Sequence, residues 1–268
     1  MILSPVIQDL VDECEALREF LAGLAPDDWH RQTLFFDWTV ADEVMHLHLI
    51  DWFGMASLET PEHFPELVAE VRAGQARGYE LSNRMRDQYG HLPSPELLAI
   101  WTDTWRAMIG IFAASDLERR IPWFGPEMSV ASFAAARQME VWAHGQDIYD
   151  VMRVRRTNHD RIRNICDLGV RTQGWSFRNR GLDKPSPPEV RLTAPSGREW
   201  VWSEGAAESI VGPAEDFALV VTQRRHVDDT GLRVMGADAR RWMEIAQCFA
   251  GAAETGPAPG VRAIDYTG

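Results

Sequence analysis

A glutamate and a histidine on one predicted helix carry the strongest chemical signal in this sequence. Residues 129–152 have helical periodicity, and within them Glu140 and His144 are four residues apart. Their side chains therefore leave the same helix face one turn apart, which lets one helix give two ligands to a metal ion. The surrounding residues are apolar, and a buried glutamate is costly unless it is paired or binds a cation. Asp147, three residues beyond His144, is a candidate acceptor that orients a ligand histidine.

A second predicted helix, covering about residues 39–56, supplies the candidates for a third ligand. It carries His46 and His48 among apolar residues. Residues two apart point about 200° apart on a helix, so only one of them can face a common centre, and periodicity does not choose between them. Two histidines and one carboxylate would leave coordination positions open, which is typical of catalytic zinc. Nickel and iron(II) accept the same ligand types.

The elements that must position these residues are long helices with short connections. Helical periodicity predicts helices over approximate ranges 6–24, 39–56, 61–89, 93–115, 129–152 and 160–179. Such a series is typical of an antiparallel bundle. We therefore expect an all-α bundle of antiparallel helices over residues 1–180.

The Pro-rich segment 181–188 is the expected domain boundary. After it, residues 189–202 alternate apolar and polar side chains around Pro195, Ser196 and Gly197, which predicts a β-hairpin. Further short strand and helix patterns follow. Residues 189–268 are therefore expected to form a smaller α+β domain.

Charge and composition exclude several classes of function. The net charge is −13, and residues 1–100 contain 18 acidic residues against six arginines, which disfavours nucleic-acid binding. No apolar run approaches the roughly 20 residues that span a bilayer, and the acidic start does not resemble a secretory signal. We expect a cytoplasmic protein with no membrane partner. The three cysteines match no disulfide or metal spacing and are expected to be buried.

Eight arginines between Arg153 and Arg180 are an exception to the acidic character. They either pack against the acidic first half or are solvated, or they hold the carboxylates of a substrate. The sequence does not select one of them for that role.

Two motifs in the ligand-bearing segments resemble one protein family. Trp38–Leu47 reads W-T-x-x-x-x-x-x-H-L, and Glu140–Asp147 reads E-x-x-x-H-G-x-D. The pair resembles the DinB-like, mycothiol-dependent maleylpyruvate isomerase family, and the stretch WFGPEMSVASFAAARQMEVWAHGQD is most similar to an actinobacterial subfamily described as metal-binding. The resemblance implies a DinB-like four-helix bundle that holds a divalent metal, usually zinc, through His46, Glu140 and His144. It also implies a sterol-carrier-like C-terminal domain and mycothiol as a cosubstrate.

The leading functional hypothesis is an enzyme in which the metal lowers the pKa of a low-molecular-weight thiol and presents the thiolate to an electrophilic small molecule. The reaction would be an isomerisation or an S-transfer. One alternative is a metal-dependent hydrolase that activates water, with Asp147 or His48 as the available general base. Another is a non-catalytic metal-binding or ligand-binding module. The sequence leaves a homodimer open.

Overall fold

The computed structural model describes residues 3–36 and 38–266, and the chain divides between Met152 and Arg153 into two compact units. The first unit is dominated by helices and the second contains a four-stranded sheet with helices. This confirms the expected fold class, an N-terminal helical bundle with a smaller C-terminal α+β part. Among the described residues, no helix is both long and apolar enough to cross a membrane.

The first unit contains six helices and one short strand pair among its described residues. In chain order these are α1 Pro5–Ala22, α2 Val40–Glu59, α3 Phe64–Gln75, α4 Leu81–Tyr89, α5 Ser94–Ala114, β1 Arg120–Ile121, β2 Met128–Ser129 and α6 Val130–Val151. Helices α1, α2, α5 and α6 pack against one another around the core, which is a four-helix bundle. The range 61–89, expected as one helical region, is two helices.

Side-chain caps fix where the two central helices begin. Thr39 Oγ1 accepts a hydrogen bond from Asp42 N at the start of α2, and Asp42 Oδ2 accepts one from Thr39 N. Ser129 Oγ accepts a hydrogen bond from Ser132 N at the start of α6. Both helices are buried around most of their circumference. The caps therefore fix the first turn of each of the two helices that carry the candidate ligands.

The second unit contains four α-helices and a four-stranded mixed sheet among its described residues. Its elements are α7 Arg163–Arg171, α8 Gln173–Arg178, β3 Glu189–Thr193, β4 Glu199–Trp202, β5 Ser209–Pro213, α9 Ala214–Val221, β6 Arg233–Met235 and α10 Ala237–Ile245. The strand order is β4-β3-β5-β6, with β3 and β5 parallel and both edge strands antiparallel. The predicted hairpin is present as β3 and β4. Gly197, with φ of 83°, provides its turn.

The division between the units differs from the expected boundary at 181–188. The range 160–179, predicted as a last bundle helix, forms α7 and α8 instead, with a break at Thr172. These helices bury Ile165, Cys166 and Phe177, and they pack against α9 and α10. Periodicity shows that a helix has an apolar face, but it does not show which partner covers that face.

Candidate metal centre

His46, Glu140 and His144 come together between α2 and α6. His46 Nε2 lies 3.3 Å from Glu140 Oε2, and His144 Nε2 lies 3.2 Å from the same oxygen. The two imidazole centroids are 4.4 Å apart. Two helices thus direct three potential donor atoms towards one point.

The spacing of these atoms fits a small divalent cation. A tetrahedral ion with bonds of about 2.0–2.1 Å separates its donor atoms by about 3.3–3.4 Å. Both distances from Glu140 Oε2 are close to that separation. The donor set, two imidazoles and one carboxylate, is also one that zinc accepts.

His144 lies between two carboxylates, which adds an electrostatic argument for a cation. Its Nδ1 is 2.7 Å from Glu43 Oε2, while its Nε2 faces Glu140 Oε2. A neutral imidazole has only one N–H. If the ring is neutral and Nδ1 donates that hydrogen to Glu43, the lone pair of Nε2 faces a carboxylate oxygen. Either a metal ion between them or a proton on Nε2 removes the repulsion.

The carboxyl of Glu140 is held in its ionised form. Burial by itself would raise its pKa, but hydrogen bonds with His144 and His46, together with the charges of these histidines, hold the pKa well below its usual range. An ionised carboxylate is the form that binds a metal ion. Glu140 is therefore ready to act as a ligand at neutral pH.

The cluster is closed by aromatic rings on one side and partly open on another. The Trp38 ring stacks on His144 at a centroid distance of 6.0 Å, and the Phe35 ring meets His144 edge-on at 5.1 Å. The exposed side-chain fractions are 5% for His144, 15% for His46 and 24% for Glu140. A small ligand would thus approach from the Glu140 side.

His48 lies away from this cluster, although it was an alternative ligand in the sequence. Its ring packs edge-on against Tyr89 with centroids 4.5 Å apart, and only 7% of the residue is exposed. Burial lowers the pKa of His48 to about 4, so the ring is neutral at physiological pH. The structure therefore places the two histidines of α2 in different surroundings, as helix geometry requires.

Glu43 is a buried partner of His144 that the sequence analysis did not identify. The sequence proposed Asp147 as the orienting acceptor, and Asp147 is indeed buried with Glu43 and His144 in a second group of close donor atoms. Glu43 makes a 2.7 Å contact to Nδ1, and the role of Asp147 as an acceptor stays a prediction. The signal of Glu43 in the sequence was its position three residues before His46, which puts both side chains on one face of α2.

Arginines of the 153–180 segment make contacts within the second unit. Arg163 lies over the Trp200 and Trp202 rings, with its guanidinium carbon 5.6 Å and 6.0 Å from their centroids. Arg180 Nη1 donates to Ser176 O on the preceding turn. These two arginines therefore stabilise their own unit.

The fold and this cluster define a class of protein, a helical bundle with a candidate three-donor metal centre followed by a small α+β unit. Within that class, the chain belongs to the family described as the mycothiol maleylpyruvate isomerase N-terminal domain, whose model matches residues 10–149. The family expected from the Trp38 and Glu140 motifs is therefore confirmed, and the family takes its name from an enzyme.

Two relatives and two solved structures are similar to this chain over most of its length. Two uncharacterized proteins of Mycobacterium tuberculosis, from strains CDC 1551 and H37Rv, are each 37% identical over 250 residues, covering 92% of this chain and 96% of theirs. Crystal structures of the mycothiol-dependent maleylpyruvate isomerase and of a mutant of it match with TM-scores of 0.56 and 0.57. Both are 12% identical and cover 87% of this chain and 93% of theirs. At that identity, the match shows a common fold.

Proposed function

We propose that this protein is a metal-dependent enzyme that presents a mycothiol-like thiol to an electrophilic small molecule, as an isomerase or an S-transferase. The observation that carries the proposal is the convergence of His46, Glu140 and His144, with both ring nitrogens of His144 facing carboxylate oxygens. Membership of a family named for a mycothiol-dependent isomerase supports the same chemistry.

The metal ligands would be His46 Nε2, Glu140 Oε2 and His144 Nε2. Zinc suits this set, and nickel and iron(II) are the alternatives. When bound, the metal supplies the Lewis acidity that lowers the pKa of a coordinating thiol. Three protein ligands leave room for that thiol on the partly exposed side of Glu140.

The aromatic rings beside the cluster would support this chemistry. Trp38 and Phe35 contact the His144 ring and limit its rotation. They also keep water from that side of the imidazole. Electrostatic interactions are stronger where water is excluded, so the aromatic rings strengthen the interactions of the His144 imidazole with its carboxylate partners.

The thiol has to come from outside the chain. Cys14, Cys166 and Cys248 are all buried, as expected from the sequence, and none belongs to the groups of potential metal ligands among the described residues. Burial also raises the pKa of the Cys14 and Cys166 thiols, which disfavours the reactive thiolate. We therefore assign the role of the reactive sulfur to a small-molecule thiol.

Turnover of maleylpyruvate by zinc-loaded protein, with and without mycothiol, tests the proposal. We expect turnover that needs both metal and thiol, that is lost in His144→Ala and that is retained in the control His48→Ala. Turnover that needs the metal but not the thiol would favour a hydrolase. Saturable binding without turnover of this or other conjugated electrophiles would favour a binding module.

A further inference from the structure

We propose that Glu43 is a positioning residue that fixes His144 in the tautomer with Nδ1 protonated, so that Nε2 is the metal donor, and that Thr33 holds the Glu43 carboxylate for this task. The inference rests on the proposed metal centre. It assigns to these two residues a role in tuning that centre rather than in binding the metal.

Both oxygens of the Glu43 carboxylate have a partner in the buried interior. Oε2 is 2.7 Å from His144 Nδ1, and Oε1 accepts a hydrogen bond of 2.8 Å from the Thr33 hydroxyl. Glu43 is fully buried and Thr33 nearly so. A buried carboxylate held at both oxygens has little freedom to turn away from the imidazole.

Thr33 is itself fixed by the segment that precedes α2. Its backbone N–H donates to Trp38 O over 2.7 Å, and its hydroxyl also accepts from Phe35 N. This segment carries the two aromatic rings that contact His144. The orientation of the imidazole is thus set from two directions, by rings on its faces and by Glu43 at Nδ1.

The same atoms do not fit a second metal ion. Glu43, His144 and Asp147 could offer three donor atoms within 4.8 Å. However, the 2.7 Å between Glu43 Oε2 and His144 Nδ1 is a hydrogen-bond distance. Donor atoms on one tetrahedral ion lie about 3.3–3.4 Å apart. We therefore assign this group to the orientation of His144 and expect one metal ion per chain.

Removing such an acceptor lowers metal affinity without removing a ligand. A carboxylate at the distal nitrogen makes an imidazole more basic and fixes its tautomer, and its loss costs about 10–100-fold in metal affinity. Glu43→Gln keeps the size of the side chain but removes its charge. Thr33→Val removes the hydroxyl with little change in volume, and Thr33→Ser keeps the hydroxyl as the matched control.

Zinc affinity, measured by competition with a chromophoric chelator, is the first readout. We expect one zinc per chain in every variant, with about 10–100-fold weaker binding in Glu43→Gln, a smaller loss in Thr33→Val and near wild-type binding in Thr33→Ser. The second readout is the His144 Nδ1–H resonance of the zinc-loaded protein in nitrogen-15 NMR. It should be strongly downfield in wild type and in Thr33→Ser, and should move upfield in Glu43→Gln.

The outcomes separate this inference from the proposed function. Wild-type affinity and an unchanged Nδ1–H resonance in Glu43→Gln would overturn the positioning role while leaving the metal centre intact. A second zinc in the wild type that is lost in Glu43→Gln would make Glu43 a ligand and overturn it as well. A wild-type protein that binds none of zinc, nickel and iron(II) would overturn both proposals. If Glu43→Gln does not fold, equal zinc affinities of Thr33→Val and Thr33→Ser would overturn the role of Thr33 and with it the proposed series of contacts from Thr33 through Glu43 to His144.

Discussion

His46 and His48 occupy the same helix, yet their rings meet different chemistry. His46 faces the ionised Glu140 carboxylate, whereas His48 faces the edge of the Tyr89 ring. Of these two arrangements, only the first places a ring nitrogen next to a carboxylate, a group that also binds cations. The difference between the two residues is therefore testable by removing each in turn.

Alanine variants of four residues should divide into two classes of metal content. We expect His46→Ala, Glu140→Ala and His144→Ala to lose bound metal because each removes one of three proposed ligands. His48→Ala should keep it. Elemental analysis of the purified variants measures this. Metal retained in His46→Ala but lost in His48→Ala would reverse the assignment, and full occupancy in Glu140→Ala would exclude the site.

Residue spacing predicted part of this site, but tertiary packing determined the rest. The pair Glu140 and His144 follows from one helix turn, and the opposite directions of His46 and His48 follow from helix geometry. The acceptor at His144 Nδ1 could not be predicted in the same way. Asp147 was predicted from its position on the same helix as His144, whereas the contact of Glu43 depends on how α2 and α6 approach each other.

At the scale of the helices, a buried ion pair and a tryptophan connect three helices of the bundle. Arg137 on α6 contacts Asp51 on α2 at 2.9 Å, and Trp101 on α5 donates to the other carboxylate oxygen at 3.1 Å. The charged side chains are each 1% exposed. Burial raises the pKa of Asp51, although Arg137 opposes this. Loss of either charge would leave the other in an apolar interior.

Replacing one member of this pair should lower the free energy of unfolding more than replacing both members. We expect Arg137→Met to lower the free energy of unfolding by about 3–5 kcal/mol, since it leaves a buried carboxylate without its charge partner. The double variant with Asp51→Leu should recover much of that loss. Urea unfolding followed by circular dichroism measures both. A single variant that costs less than about 1 kcal/mol would contradict the assigned role of the pair.

A second ion pair connects the start of α2 to α4 and gives stability that depends on pH. Arg86 Nε and Nη2 donate to the two oxygens of Asp42 over 2.7 Å and 3.0 Å. Burial would raise the pKa of Asp42, but the hydrogen bonds from Arg86 and Thr39 outweigh it and lower the pKa. As pH falls, the unfolded chain takes up this proton before the folded chain does.

The contribution of Asp42 should therefore be present at neutral pH and lost in acid. We expect Asp42→Asn, which can still cap α2, to be less stable than wild type by about 1–2 kcal/mol at pH 7. The difference should shrink as pH falls below about 4, through the lowered pKa. Thermal unfolding of both proteins across this range is the measurement. A difference that stays constant with pH would show that the charge of Asp42 is not responsible.

The sequence predicted whether a segment is a helix or a strand more reliably than it predicted which other element that segment packs against. The predicted starts of α2 and α6, at about residues 39 and 129, coincide with the residues that cap these helices, Thr39 and Ser129. The short pair β1 and β2 was not predicted, since strands of two residues carry no periodic signal. The helices of 160–179 were predicted as helical, but their packing against α9 and α10 depends on contacts distant in sequence.

At the scale of the whole molecule, we expect the apolar core of the bundle to stabilise the fold without a bound metal. It buries several tryptophan and phenylalanine side chains completely, including Trp101, Trp142, Phe53, Phe112 and Phe133. One fully buried large apolar side chain contributes about 1.5–3 kcal/mol. The proposed metal is therefore expected to add stability by binding rather than to be required for folding.

Chelator treatment tests this expectation. Helical circular dichroism should be retained after metal removal, while the free energy of unfolding should rise by about 2.7 kcal/mol when free metal is 100 times its dissociation constant. Loss of most of the helical signal on chelation would instead indicate a structural metal.

The most direct test of the central claim is the absorption spectrum of cobalt-substituted protein before and after addition of mycothiol. With three protein ligands and no cysteine among them, the resting protein should show no strong near-ultraviolet sulfur-to-metal charge-transfer band. The account predicts that the band appears on addition of mycothiol, that it is absent in His46→Ala and that it is preserved in His48→Ala. No spectral change at millimolar mycothiol, or a band already present without it, would contradict a metal centre that presents an external thiol.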